Sequence, residues 1–206
     1  MITLCWAAKG GSGTTVFAAT LALASRPPVL LVDLAGDLPL ALGVAAPTGP
    51  GIGEWSCGDA PASRLARLHV PLAPGVDLVP MGTATPRTRW VELATYLERT
   101  GATVVIDAGS GPPPVELRRR AERTLLVTRR CYLAVRRAVE ARVPVDGIVL
   151  IDEPGRALSA EDVATSIGAP ILTTVLLDPA IARATDAGLL LSRLPRGYRQ
   201  LIGDAA

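Results

Sequence analysis

Lysine is almost missing from this chain: of 21 basic residues, 20 are arginine, and Lys9 is the single lysine. Histidine is as scarce, with His69 alone, which excludes a histidine-built metal centre and argues against a Ser-His-Asp triad. The three cysteines, Cys5, Cys57 and Cys131, are an odd number, widely separated and without a C-x-x-C pair. That pattern speaks against a disulfide framework and a zinc site, and it fits a reducing cytoplasm. Seven aromatic residues are too few for a base-stacking platform that tracks single-stranded nucleic acid. No apolar run reaches the ~18 residues of a membrane span. The N-terminus lacks the basic region and small-residue cleavage site of a secretory signal. A cytoplasmic location is therefore expected. What is present, 206 residues with 49% apolar and 19% charged, predicts one globular domain over 1–206 with no separate second domain.

The preference for arginine is a compositional bias. The position of the lone lysine is not so easily set aside, because Lys9 directly precedes Gly10, Gly11, Ser12 and Gly13. Around this loop the chain alternates short apolar runs with longer amphipathic stretches. Strands are predicted at 2–7, 29–33, 76–80, 103–107, 124–127, 147–151 and 170–175, nearly continuous in hydrophobicity, as strands covered on both faces are. Helical spacing falls at 14–24, 88–99, 131–141, 160–166 and 180–187. This order predicts an α/β fold with a mostly parallel sheet and helices on both faces. Ligands in such a sheet sit outside the carboxyl ends of the strands, and those ends carry Lys9, Asp33, Asp107 and Asp152. The stretch 47–74, rich in Pro, Gly and Ala, reads as loop plus short helix.

The first predicted strand, then Lys9-Gly10-Gly11-Ser12-Gly13-Thr14-Thr15, reads as strand, glycine loop and helix start. Glycines allow the tight turn that aims consecutive N–H groups at phosphate oxygens, and the helix adds its positive end. A hydroxyl in the first helical turn, here Thr15, has the place of a Mg²⁺ ligand.

The string K-G-G-S-G-T-T resembles the deviant Walker A motif K-G-G-x-G-K-[ST] of the ParA/MinD class of P-loop ATPases, which position plasmids, chromosomes, division sites or other cargo. The strand ending at Asp33 is similar to the second strand of that family with its switch aspartate. The segment ending in Asp107, Ala108 and Gly109 is similar to its Walker B strand, and 177–184 to the stretch after the last strand of MinD. The resemblance covers most of the chain. It implies a P-loop NTPase fold, ATP or ADP as ligand at Lys9, Gly10, Gly11, Ser12, Gly13, Thr14 and Thr15, and Mg²⁺ held through Thr15, Asp33 and Asp107. It also implies a homodimer around nucleotide, with Lys9 as the signature lysine that reaches the partner's nucleotide. Two departures stand out. The family's P-loop lysine aligns with Thr14. The aspartate that orients the attacking water aligns with Ala35, leaving Asp37 as the candidate replacement. Losing a charged hydrogen bond of roughly 1.5–3 kcal/mol weakens binding by about ten- to a hundredfold, and hydrolysis is expected to suffer more.

Between Glu116 and Arg142 stand nine arginines against three glutamates, a local excess of +6. With Arg118, Arg119, Arg120, Arg136 and Arg137 at its heart, this belt is a candidate for phosphate-directed, sequence-indifferent DNA contact; a solvated helix face is the plainer reading. Leu190, Leu191, Leu194, Tyr198, Leu201 and Ile202 fall near helical spacing and resemble the membrane-targeting helix that ends MinD proteins. Pro195 and Gly197 interrupt it and Asp204 adds negative charge, so packing back onto the sheet is expected rather than a membrane anchor.

Three functions stay open on the sequence. The first is a ParA/MinD-like positioning protein with weak or absent hydrolysis, acting with a partner protein of unstated identity. The second is a pseudo-ATPase scaffold or filament former. The third and weakest is a biosynthetic enzyme built on the same P-loop class, for which no second-substrate constellation is evident.

Overall fold

Hydrophobicity on both faces of nearly every strand demands two covering layers, and the computed structural model, which describes residues 1–45 and 48–194, has them. One sheet of eight strands runs in the order β3-β4-β2-β5-β1-β6-β7-β8. The strands are β1 (Ile2–Ala7), β2 (Val29–Asp33), β3 (Val70–Ala73), β4 (Val76–Val79), β5 (Thr103–Ser110), β6 (Arg123–Arg129), β7 (Gly147–Asp152) and β8 (Ile171–Leu176). All neighbours pair in parallel except β3 and β4.

Strand alternation sends Leu31, Val105, Leu125, Val127 and Val149 to one face. There α1 (Thr14–Ala24), α2 (Leu38–Leu42), α8 (Pro179–Asp186) and α9 (Leu190–Arg193) cover them with Phe17, Leu38, Ile181 and Leu190. Leu30, Val32, Leu4, Leu126 and Ile106 point the other way. That face is covered by α3 (Ile52–Cys57), a short 3₁₀ helix (Ala62–Leu68), α4 (Trp90–Arg99), α5 (Val115–Arg120), α6 (Tyr132–Ala141) and α7 (Ala160–Ile167). Helix α1 is apolar around its whole circumference, because it lies in the interior against the sheet and under other helices. The more exposed α4 and α6 keep one apolar stripe each.

Strands β1, β2 and α1 have the predicted bounds, and the remaining predicted strands and helices differ at their ends by a few residues. Helix α1 ends where Ser25 turns extended. The stretch 47–74 is richer than expected: beyond a short helix it contains the 3₁₀ turn and edge strand β3. Helices α2 and α5 also go beyond the sequence pattern. The C-terminal pattern from Pro195 onward, with Tyr198, Leu201 and Ile202, lies outside the described residues. Its first part packs inward, with Leu190 and Leu194 buried against the α1 face. Among the described residues no helix is long and apolar enough to cross a membrane.

The segment before α4 is pinned by one side chain. Glu54 accepts the Gly51 N–H at 2.8 Å, which caps α3, and with its other oxygen the Thr83 N–H, Thr83 hydroxyl and Ala84 N–H at 2.8, 2.6 and 2.8 Å. Four bonds to one carboxylate tie the exit of β4 to α3. Removing it in Glu54→Ala is expected to lower stability by about 2–3 kcal/mol, read as a shift of the urea midpoint at unchanged slope. A loss below about 0.5 kcal/mol, the scale of an ordinary surface substitution, would contradict this anchoring role.

Candidate functional site

Strand β1 has β5 on one side and β6 on the other, so the strand order diverges on either side of it. Loops leaving β1 and its neighbours therefore border a crevice at the carboxyl end of the sheet, where α/β proteins bind ligands. The β1–α1 loop turns there with Gly11 at φ 76° and Gly13 at φ 97°, a left-handed region that costs glycine little and other residues more. The Ser12 hydroxyl donates to the Lys9 carbonyl at 2.7 Å and holds the turn closed. Helix α1 then begins with its first bond from the Phe17 N–H to the Gly13 carbonyl at 2.9 Å. No side chain caps it, so its leading N–H groups face the crevice without an intrahelical partner.

The crevice is a cavity of about 620 Å³ lined by Lys9, Gly10, Gly11, Ser12, Gly13, Thr14, Thr15 and Asp37. All seven loop residues expected at a nucleotide thus share one wall, with Asp37 across from them. Gly109, at the end of the segment that resembles a Walker B strand, also lines it, as do Ala7 and Val16 beside the loop; the sequence did not single out Leu40 and Ala41 of α2, Ser110 of β5, or 185–188 at the end of α8. The α2 and α8 walls meet closely: a Cβ on Gly43 would lie 1.4 Å from the Gly188 carbonyl oxygen, so only glycine fits at Gly43. No motif marks the α2 and α8 residues; the closeness of those two helices in space brings them to the cavity.

Asp33 and Asp107 are register partners in the β2–β5 ladder, and neither has any exposed surface. Asp33 accepts the Ala35 and Gly36 N–H groups on Oδ1 at 3.0 and 2.7 Å, and the Leu38 N–H on Oδ2 at 3.3 Å. Its pKa is pushed up to about 6 by burial, with the Asp107 charge adding and the three N–H groups opposing. Asp107 is also raised, by burial first and by the Asp37 charge, while the Thr15 hydroxyl and the Gly109 N–H favour its charged form. Its Oδ1 accepts that N–H at 3.0 Å, and its buried Oδ2 has no hydrogen bond. Ala35 packs under Gly109, where an added Cβ would come 2.8 Å from its own.

Thr14, in the place of the P-loop lysine, is buried and carries no charge. Lys9 stands at the rim, its Nζ donating to the Gly10 carbonyl at 3.2 Å. Among the described residues it has no carboxylate partner. Of the arginine belt, Arg120 pairs with Glu98 and Arg136 with Glu140, which leaves Arg118 on α5, and Arg119 and Arg137 at the surface, outside those pairs. No group of three His, Cys, Asp or Glu side chains among the described residues is placed to hold a metal ion by itself. A Mg²⁺ ion does not need one, since it keeps several waters and takes phosphate oxygens with one or two protein ligands. The orphaned Asp107 oxygen beside the Thr15 hydroxyl fits that requirement.

No protein-family model matches the sequence, and no curated protein does. Solved structures do. The septum site-determining protein MinD of Pyrococcus horikoshii, complexed with Mg-ADP, superposes with a TM-score of 0.77 at 21% identity, over 99% of this chain and 93% of that one. The MinC:MinD cell division complex of Aquifex aeolicus gives 0.78 at 19% identity, over 99% and 93%. A ParA family ATPase of Chlorobium tepidum gives 0.72 at 21%, over 98% and 97%.

The buried carboxylate pair also makes the apo protein sensitive to pH. Asp33 has a folded pKa of about 6 against an ordinary 3.8, so between these values the folded state holds more proton than the unfolded one. Stability should therefore fall as pH rises from about 4 to 6, by an amount on the order of 3 kcal/mol. Asp33→Asn should flatten that slope in urea titrations across the same window; an unchanged slope would show that Asp33 is ionised throughout. Sheet order, glycine turn and paired carboxylates together give this chain the fold of the MinD and ParA P-loop ATPases.

Proposed function

We propose that this chain is a nucleotide-dependent positioning protein of the ParA/MinD kind. It binds ATP or ADP with Mg²⁺ in the β1–α1 cradle, dimerises around the nucleotide and hydrolyses it slowly or not at all. The observation that supports this reading is a backbone turn that can cradle phosphate: two left-handed glycines, the N-terminus of an 11-residue helix that no side chain caps, and a cavity of about 620 Å³ in front of them. Backbone N–H groups and a helix end attract phosphate with no side-chain charge. Mg²⁺ would neutralise phosphate charge there; Thr15 would be the residue to ligate it and Asp107, beside it, would hold its waters. Asp33 acts one layer further out, folding the loop 34–38 around its carboxylate. The likeness to a MinD structure complexed with Mg-ADP supports the ligand, and the likeness to a MinC:MinD complex supports action through a protein partner.

A second reading, a scaffold or filament former that no longer turns nucleotide over, is favoured by Thr14 and Ala35. Ala35 sits against Gly109 in the place where the family keeps its water-orienting aspartate, and the only acid of that loop lining the cavity is Asp37. Either protein would work in the cytoplasm. Non-specific DNA as cargo or track has Arg118, Arg119 and Arg137 to offer, each outside the belt's ion pairs.

Thr14→Lys restores the missing cation and is expected to tighten ADP binding about tenfold or more in calorimetry. Phosphate release should stay near background until Ala35→Asp is added. Turnover by the wild type as fast as by that double variant would contradict the degenerate site, and no gain in affinity from Thr14→Lys would favour the scaffold.

Lys9, an ammonium at the rim without an acidic partner among the described residues, is the residue that this reading assigns to act across an interface. Lys9→Ala should abolish a mass increase on adding ATP and Mg²⁺ in light scattering while leaving ADP affinity within about twofold. A mass that responds to ATP identically in both proteins would remove the lysine from the interface.

A further inference from the structure

Strand β6 ends in an unusual way. Leu125 and Val127 point into the α1 side of the core, and the period of two places Arg129 next on that same side. The side chain there is half-buried and borders the layer of α1 and α8. Arg129 lines a second cavity, of about 320 Å³, whose wall includes Gly11 and Gly13 of the phosphate loop, Val16 of α1, and Ile151 and Ile181. Gly11, Gly13, Val16, Thr185 and Asp186 border both this cavity and the larger one. The register partner of Arg129 on β7 is Ile151, the side chain that a Cβ on Gly13 would meet at 3.6 Å. The arginine therefore stands one strand away from β1, beside the turn that Thr14 follows.

Its charge is not otherwise engaged. The Nε of Arg129 is buried without a hydrogen bond, and among the described residues the side chain has neither hydrogen bond nor ion pair. Its neighbour Arg130 also has a buried Nε without a hydrogen bond, but its charge is engaged, on the Asp152 carboxylate at 2.5 Å and the Glu153 carbonyl at 3.1 Å. Two acids also border the cavity. Asp178 is held by the Ala180 N–H at 2.7 Å as the cap of α8, and Asp186 closes the last turn of that helix. They border the same cavity without pairing with the arginine. The guanidinium is half-buried, and its Nε, out of reach of water, is a donor that a ligand can complete.

We propose that Arg129 is a phosphate-binding residue of the nucleotide site, supplying from β6 of the same chain the cation that Thr14 does not provide. This rests on the proposed nucleotide site and goes beyond it. The planar fork suits a phosphate oxygen pair better than an ammonium does, and β6 delivers it from the side of the loop opposite to β5. Lys9 then remains free for a partner's nucleotide, so each site would draw one cation from its own chain and one from its partner.

Calorimetry with three probes, ADP, inorganic pyrophosphate and adenosine, tests the assignment. Arg129→Gln should weaken ADP and pyrophosphate by about ten- to a hundredfold and leave adenosine unchanged. Adding Thr14→Lys to that variant should restore most of the loss. Pyrophosphate binding equal to wild type in Arg129→Gln overturns the proposal, as does a loss confined to adenosine and ADP, which would place the arginine on the base. If Arg129→Gln fails to fold, Arg129→Lys carries the test: pyrophosphate affinity should fall severalfold, and an unchanged affinity overturns the proposal. A wild type that binds none of the three probes removes the nucleotide reading itself and this inference with it.

Discussion

Two carboxylates side by side with no exposed surface are the constraint around which this end of the molecule is arranged. Asp33 and Asp107 face each other across β2 and β5, and each makes the other's charge more costly. The chain answers with local donors. Three N–H groups from 35, 36 and 38 converge on Asp33, so the loop must curl back over the strand end and start α2 there. One N–H from Gly109 reaches Asp107, and Gly109 in turn receives Ala35 against it. The courses of the 34–38 loop and of the end of β5, both of which border the cavity, follow from satisfying three of these four oxygens. One oxygen of Asp107 is left over, beneath the loop and beside Thr15.

The electrostatics of the cavity follow from the same arrangement. Asp37 lines it and the buried carboxylates of Asp33 and Asp107 stand behind it, while its loop wall, Lys9 apart, carries only partial positive charge from N–H groups and the α1 end. A polyanion alone would meet repulsion from below. A polyanion with a divalent ion meets complementary charge on both sides, because the ion separates phosphate from carboxylate. The proposed site is therefore one in which metal and backbone do most of the binding. Side-chain cations are supplementary and come from unusual directions, Lys9 at the rim and Arg129 from β6.

Much of this was legible in the sequence, and the failures have physical causes. Strands such as β1 and β2 are apolar on both faces and end in glycine or aspartate, so their bounds could be read without a structure. Edge strand β3 could not, because Pro71 interrupts it and only one side of it is covered. Helices α2 and α5 have five and six residues, too short to show a helical period. The glycine loop and both aspartates could be picked out because each follows an apolar strand directly, where the loop borders the cavity and the two acids pair in register. Leu40 and 185–188 were missed because they reach the cavity only through the packing of α2 on α8, which no local pattern encodes. Arg129 was hidden among nine arginines of the belt. Its signal was the period of two: it follows Leu125 and Val127 on the buried face, whereas the helical arginines fall on polar ones.

The central claim is that this loop still holds nucleotide through its backbone. Amide hydrogen exchange of the wild-type protein, with and without ADP and Mg²⁺ at saturating concentration, addresses those N–H groups directly. The account predicts slowed exchange at residues 10–16 and 107–111, with the strands at the far end of the sheet unchanged. Exchange at 10–16 that is the same with and without ligand would contradict it.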